Sequence, residues 1–449
     1  MKIVIAVHHF PPRYTSGAEL RAYRTAAWLR DHGHSVHVVC VETIDAGDSP
    51  GLTWEDTHYD GLPVRRLSFN IAASPDPFRW TYDNPWIGEH VRGYLDDFAP
   101  DILHLISGYL MSGSTLRVAG DLDVPTVVTL TDFWFLCPRI TLQRSNGQVC
   151  APLFDPLACA RCLGEQKRRY RVLGRIAPAL MNSFWRTQQD LAARVQARMT
   201  FLRETLDGVH AIISPSQFLR SVFVDSGVAP ARIIFSRQGR DFPGLTPDLL
   251  DKAPAARLRI GYMGQIAPHK GVHTLFEAAR HLPDAALEVR AYGDPARFPD
   301  YTRRLRQMIR RDPRLSLAGV YERSKVSHVL QGLDVVVVPS VWYENSPNTI
   351  LEAFAHRTPV LVSDLGGMAE LVEDGVNGLR FAPGDAASLA ARLRQLADDP
   401  DLLAQLREGI GPVKSVAEEM NELREIYRSV TVGASTAQRR SERGLALAL

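Results

Sequence analysis

Short unbroken apolar blocks recur along the chain, at 3–7, 36–41, 102–106, 126–130, 211–214 and 232–236, and again at 258–262, 287–292, 334–339 and 359–363. Runs this brief and continuous are the pattern of strands buried on both faces, as in a parallel sheet covered by helices. A loop bearing proline and glycine, 8–17, joins the first block to a helical stretch at 18–30, and Gly33 suits that helix's C-terminal stop. The block at 36–41 completes a strand–helix–strand unit, which requires a parallel crossover. The design restarts at 258 with a glycine loop at 264–271 and a helix to 280. Between the two series, 239–256 holds Gly, Pro and Asp without periodicity and reads as a linker. The pattern therefore predicts an α/β protein of two halves. The first spans 1–238, with a cysteine-bearing and basic helical insertion at about 137–205, and the second spans 257–415. Helices are expected at 217–226, 386–407 and 416–430, the last with an acidic N-terminal half that suits the helix dipole. The small, polar stretch 433–449 reads as a mobile tail.

The length of 449 residues suits two or three domains, and the 45% hydrophobic and 23% charged content is that of a soluble globular protein. Wholly disordered, collagen-like and coiled-coil chains are excluded. A formal net charge of +2 gives no reason to expect nucleic acid as a partner. No apolar stretch approaches the roughly 20 residues that spanning a bilayer requires. The early block 3–7 is also too short for a signal-peptide core. The expected location is the cytosol, with the inner face of the membrane as a further option.

The C-terminal half carries the densest chemistry. Glu344 and Glu352 flank Asn345, Ser346, Pro347, Asn348 and Thr349. Pro347 is tolerated in a first helical turn, and Ser346 or Asn345 is expected to cap it. One carboxylate would then stand at the mouth of a helix and one within it, able to grip two sets of hydroxyls on one ligand. The free N–H groups near Asn348 and Thr349 suit an anion. An amphipathic helix with two solvated glutamates is the plainer alternative. In the N-terminal half, Asp132 closes a strand, where parallel-sheet ligand sites lie.

Several segments in order resemble family 4 of the retaining glycosyltransferases: SVWYENSPNTILEA from Ser340, TPVLVSD from Thr358, GGMAELV from Gly366 and DGVNG from Asp374. YMGQIAPHKG from Tyr262 is similar to that family's glycine loop with its phosphate-binding lysine, and SGAE from Ser16 to its glycine-rich acceptor loop. The likeness covers most of 1–425 and is weakest over 138–210. It implies the GT-B fold, two Rossmann-like parallel-sheet domains facing a cleft, with a C-terminal helix returning to the N-terminal domain. It also implies retaining transfer of a sugar from a UDP- or GDP-linked donor to a hydroxyl of a glycan or lipid-linked acceptor, in polysaccharide or glycoconjugate assembly. Carried over by residue, Glu344 would contact sugar hydroxyls, Glu352 the ribose and Lys270 the diphosphate. Gly264, Gln265, Ser346, Asn348 and Thr349 would complete the donor site. Gly17, Glu19 and Asp132 would face the acceptor, and Glu344, Lys270 and Asp132 would form the catalytic group. No catalytic metal is expected.

Two positions depart from the resemblance. Gln265 stands where the family usually has arginine, and Arg237 and Arg240 are candidates for the missing charge. Thr131 stands where a histidine is frequent, which leaves Asp132 as a positioning group. Those departures motivate the alternative of a non-catalytic sugar-nucleotide or glycan-binding scaffold. A phosphorylase or epimerase is disfavoured because no covalent-cofactor lysine motif is evident. Glu19 also reads as a simple first-turn acid, and His8, His9 and His104 as structural or rim residues.

Four of the five cysteines, Cys137, Cys150, Cys159 and Cys162, cluster with a closing C-x2-C. They suit a structural zinc clip, free thiols, or a disulfide or iron–sulfur cluster. Cys40 stands apart in a strand. After the cysteines come ten basic residues between Arg161 and Arg203 against two acidic ones, interleaved with Leu173, Ile176, Leu180, Phe184 and Trp185. This composition suits an anionic membrane surface, or a solvated helix face.

Overall fold

The computed structural model describes residues 1–48, 50–150, 155–253 and 255–446, with side chains as far as 433. The first half forms an eight-stranded sheet: β1 (Lys2–Val7), β2 (Ser35–Thr43), β3 (Leu52–Tyr59), β4 (Leu62–Phe69), β5 (Ile102–Ile106), β6 (Thr126–Thr129), β7 (Ala211–Ser214) and β8 (Ile233–Phe235). Their order is β3-β4-β2-β1-β5-β6-β7-β8, parallel throughout except for the β3–β4 hairpin. The second half is a six-stranded parallel sheet: β9 (Leu258–Met263), β10 (Leu287–Tyr292), β11 (Leu315–Gly319), β12 (Val335–Val338), β13 (Val360–Ser363) and β14 (Gly378–Phe381). Its order is β11-β10-β9-β12-β13-β14. Strand order reverses at β1 in one sheet and at β9 in the other. Ligand crevices of open α/β sheets lie at such switch points, beyond the carboxyl ends of the strands. The loops after β1 and β9 are the two glycine loops singled out above.

Four strands, β3, β4, β11 and β14, have no counterpart in the apolar pattern, and β4 shows a largely alternating burial instead. β3 is an edge strand with no buried residue, and β11 and β14 also lie at sheet edges with only part of their surface covered. Such strands need no continuous apolar run. The β3–β4 turn is nonetheless written locally: Asp60 and Gly61 both take positive φ, 48° and 72°, as a two-residue hairpin of the Asp-Gly type demands.

Both sheets are covered on each face by apolar clusters, Ile3, Ile5 and Val38 on one side of β1 and β2, Val4, Val39 and Leu105 on the other. The C-terminal helix, Val416–Ala446, returns to the first domain, where Met420, Leu423, Tyr427 and Val430 pack beside Ile3 and Ile5. Arg21 and Glu419 form a buried ion pair at 2.6 Å across this join. At the hinge the outgoing and returning chains touch. A Cβ at Gly239 would lie 2.1 Å from the carbonyl oxygen of Ser415, so no other residue fits. The helix runs past the end expected at 430, because 431–446 contains no proline and several good helix formers. The expected tail at 433–449 is thus helical through 446, and 447–449 lie outside the described residues.

The insertion begins with irregular chain and continues as helices Pro156–Gly164, Arg168–Ile176, Pro178–Thr187 and Gln189–Asp207. Arg198 departs from the reading of a basic exterior: it is 1% exposed, donates to the Trp134 carbonyl and lies over the Trp134 ring at 5.5 Å. Among the described residues no helix is long and apolar enough to cross a membrane.

Candidate active site

A cavity of about 380 Å³ lies between the two domains. The first domain contributes Gly17, Thr131 and Asp132; the second contributes Gly264, Lys270, Glu344, Ser346, Asn348 and Thr349. Residues far apart in sequence meet here because both glycine loops and the turn after β12 open at strand carboxyl ends. Gly271 makes the second loop possible. Its φ is +72°, and a Cβ would fall 1.9 Å from the Pro339 carbonyl oxygen.

On the second domain, Lys270 Nζ lies 2.6 Å from Glu344 Oε1. The same oxygen accepts from Ser340 Oγ and Trp342 Nε1, each at 2.8 Å, and Lys270 also lies over the Trp342 ring. Burial pushes the Glu344 carboxyl up, but Lys270 and these donors outweigh it and hold the pKa below the usual range. Glu344 is therefore an ionised acceptor on the cavity wall. Burial, with Lys270 adding to it, lowers His269 to about 4 and keeps it neutral.

The helix Asn348–Ala355 starts at this wall. Contrary to the capping expectation, Pro347 occupies the N-cap position and no side chain caps the helix. Asn345 instead donates to the Thr131 carbonyl across the cleft at 2.9 Å, and Ser346 receives the Gln238 amide from the interdomain crossing. Both are drawn into interdomain bonds that local sequence does not reveal. The uncapped helix start faces Gly17, where an added Cβ would be 3.9 Å from Asn348 Nδ2.

Across the cavity the Asp132 carboxylate accepts from Ser107 Oγ at 2.8 Å, Thr131 Oγ1 at 3.1 Å and the Trp134 N–H at 2.8 Å. Three donors fix its orientation. Phe133, which follows Asp132 in the chain, meets Phe218 edge-on, and both rings pack at a tilt against Tyr343 of the other domain.

Three of the expected residues stand back from the cavity wall. Glu19 is 4% exposed and pairs with His8 at 3.3 Å. Burial raises its carboxyl, and the His8 contact more than reverses this. Glu352 is ion-paired to the buried Arg240, and Gln265, within the glycine loop, does not line the cavity. Neither sequence candidate for the missing cation is free, since Arg240 holds Glu352 and Arg237 holds Glu370 at 2.9 Å. The cation near the loop is Arg297, which sequence reading overlooked. Oriented to satisfy both groups, the Gln265 amide oxygen accepts from Arg297 Nε and Nη1 at 3.0 and 2.8 Å. No local motif marks Arg297, because it comes from the loop after the neighbouring strand β10. His104 is structural, bonded to Tyr427 and Thr129 and fully enclosed.

The four clustered cysteines line a separate cavity of about 450 Å³ together with Arg139, Arg161 and Trp185. No disulfide joins these four cysteines, and burial raises Cys159 to about 12 and Cys162 above its ordinary value. Among the described residues no three His, Cys, Asp or Glu side chains gather closely enough to hold a metal as placed.

Residues 257–399 match the family described as glycosyl transferases group 1, and residues 16–237 match the glycosyl transferase 4-like domain. Glycogen synthase of Mycobacterium tuberculosis is 24% identical over 409 residues, covering 89% of this chain and 87% of that protein. A putative colanic acid biosynthesis glycosyltransferase of Salmonella typhimurium is 30% identical over 181 residues, 38% of this chain and 43% of that protein. Among solved structures, sucrose-phosphate synthase from Thermosynechococcus elongatus superposes with a TM-score of 0.64 at 17% identity, covering 96% of this chain and 99% of that one. Anabaena HepE in complex with UDP gives 0.63 at 19% identity, covering 96% and 100%. The fold shared with both is the one anticipated from the motifs.

Proposed function

The chain belongs to the glycosyl transferases group 1 family and is a glycosyltransferase, and from that premise we propose that the cleft transfers a sugar from a UDP- or GDP-linked donor to a glycan or lipid-linked acceptor hydroxyl, with retention, in polysaccharide or glycoconjugate assembly. The observation that carries this reading is the Lys270–Glu344 pair at the mouth of an uncapped helix, facing Gly17 and Asp132 of the other domain. An ammonium and free N–H groups on one wall suit a diphosphate, and the ionised Glu344 suits sugar hydroxyls. HepE solved with UDP and with UDP-glucose supports a donor of this type, and the glycogen synthase and colanic acid relatives support a polysaccharide product.

In the proposed reaction the acceptor oxygen bonds to the anomeric carbon on the face the diphosphate leaves. The bond from that carbon to the phosphate oxygen breaks, and the acceptor's proton passes to the departing phosphate. Lys270 and the helix N–H groups stabilise the charge that develops there, and Arg297 adds a second cation through Gln265. Asp132, held by three donors, orients the acceptor hydroxyl. Thr131 cannot exchange a proton near neutral pH, so no protein base is assigned. Closing both substrates into one cleft supplies proximity. Gly264, Ser346, Asn348 and Thr349 shape the donor side. Glu352 is assigned to the ribose through exchange of its Arg240 partner, and Glu19 to the acceptor loop through His8. Incubation with a panel of nucleotide sugars, following nucleotide release, tests the reading. Selective release of UDP or GDP supports it. Absence of both binding and release across the panel overturns it.

The cysteine cavity is assigned a structural zinc on the same terms. Four thiols supply a fitting donor set, but the loop must draw them together for tetrahedral coordination. Elemental analysis finding about one zinc per chain, lost in Cys162→Ser, supports this. Metal-free protein with four titratable thiols overturns it.

A further inference from the structure

The helices Arg168–Ile176 and Pro178–Thr187 meet at an elbow that nothing among the described residues covers. Val172, Leu173, Ile176 and Leu180 are 42%, 46%, 75% and 69% exposed, and Pro178 and Ala179 between them are exposed as well. Most other large apolar side chains exposed to this degree occur singly along the chain. Isolated exposure needs no explanation, whereas a contiguous patch marks a contact surface. The opposite side of the pair is anchored: Met181 and Trp185 are buried, Tyr170 stacks on Phe184 and meets Trp185 edge-on, and Gly164 leaves room for the Trp185 ring. The elbow is thus held rigidly outward rather than lying against the domain.

Charge identifies what it meets. Lys167, Arg168, Arg169, Arg171 and Arg175 frame the elbow, and among the described residues none of them has an ion-pair partner. Basic residues elsewhere in the insertion are engaged, Arg161 by Glu165, Arg194 by Asp76 and Arg203 by Asp207. Cations left free around an apolar tip match an anionic bilayer, with apolar side chains in the acyl boundary and arginines among the headgroup phosphates.

We propose that the elbow 167–180 is a membrane-docking surface that seats the protein on an anionic lipid bilayer. Docking requires no turnover and stands independently of the transfer reaction, which it would serve by bringing the cleft to acceptors held at a lipid surface. Each basic residue close to such a surface is worth roughly a fivefold change in partitioning, so the cluster together accounts for on the order of a hundredfold or more.

Full-length protein is sedimented with vesicles of 30% phosphatidylglycerol in phosphatidylcholine, and with phosphatidylcholine alone, under low and high salt. Binding is expected only to the anionic vesicles and is expected to weaken with salt. The Ile176→Glu/Leu180→Glu variant is expected to lose binding by about tenfold or more, and Lys167→Ala/Arg168→Ala/Arg175→Ala by about a hundredfold. Unchanged thermal unfolding and unchanged nucleotide release in solution show that these exposed substitutions leave the fold and the cleft intact. Failure of the wild-type protein to bind anionic vesicles overturns the proposal, as does equal binding by both variants. Ile176- and Leu180-dependent self-association without vesicle binding would overturn it in favour of a second copy.

Discussion

Lys270→Ala separates stability from chemistry at this site. Lys270 and Glu344 are 2.6 Å apart, with side chains 22% and 13% exposed. Removing one member of a largely buried pair leaves an uncompensated charge and costs about 3–5 kcal/mol. Ser340 and Trp342 still donate to the same carboxylate oxygen, which places the loss at the low end, about 3 kcal/mol. Loss of one preorganised positive group at the leaving phosphate costs a further factor of roughly 10²–10³ in kcat. The two losses respond differently to a second substitution. Lys270→Ala/Glu344→Gln removes the stranded charge and should recover most of the stability, while turnover stays as low as in the single variant or falls further. Denaturant unfolding gives the first quantity and nucleotide release under saturating donor gives the second. Turnover of Lys270→Ala within threefold of wild type would refute the assignment of Lys270 to the diphosphate. Recovery of turnover in the double variant would refute it equally.

Arg297→Ala should lower kcat/KM by about tenfold through loss of the second cation, with Gln265→Ala giving a smaller loss in the same direction; unchanged kinetics in both would return Arg297 to the surface. Gly271→Ala should abolish the donor-induced rise in melting temperature, because its Cβ would meet the Pro339 carbonyl at 1.9 Å in a left-handed conformation; a normal rise would show that the loop relaxes. The depressed pKa of Glu344 makes its stabilisation complete above the unfolded carboxyl value near 4.3 and progressively lost as pH falls through the lower folded value. Glu344→Gln should therefore flatten the acid limb of the unfolding curve, and an unchanged limb would assign it to other carboxylates.

Much of the architecture was legible in the chain because its strands are buried on both faces. Uninterrupted apolar blocks, each followed by a helix, leave few arrangements other than parallel sheets, and the break at 239–256 separates two of them. The edge strands β3, β11 and β14 were not legible, since a strand covered on part of its surface needs no apolar run. The cavity-lining residues Gly17, Asp132, Gly264, Lys270 and Glu344 were found because they sit at loops that close a strand or open a helix, where local sequence and chemistry coincide.

What the chain by itself determined was the set of functional groups and their position on each domain: a lysine beside a glycine turn, a carboxylate before a helix, an aspartate closing a strand. Which groups face one another was decided only when two sheets packed around the crossings at Gly239 and Ser415. That packing turned Asn345 and Ser346 from helix caps into interdomain ties, and committed Arg240 to Glu352 and Arg237 to Glu370. It also set Arg297 beside Gln265, a contact between loops of adjacent strands more than thirty residues apart. Hydrogen-bond and ion-pair partners are chosen by three-dimensional proximity within about 3 Å, and sequence spacing carries that information only where the backbone between the partners is regular.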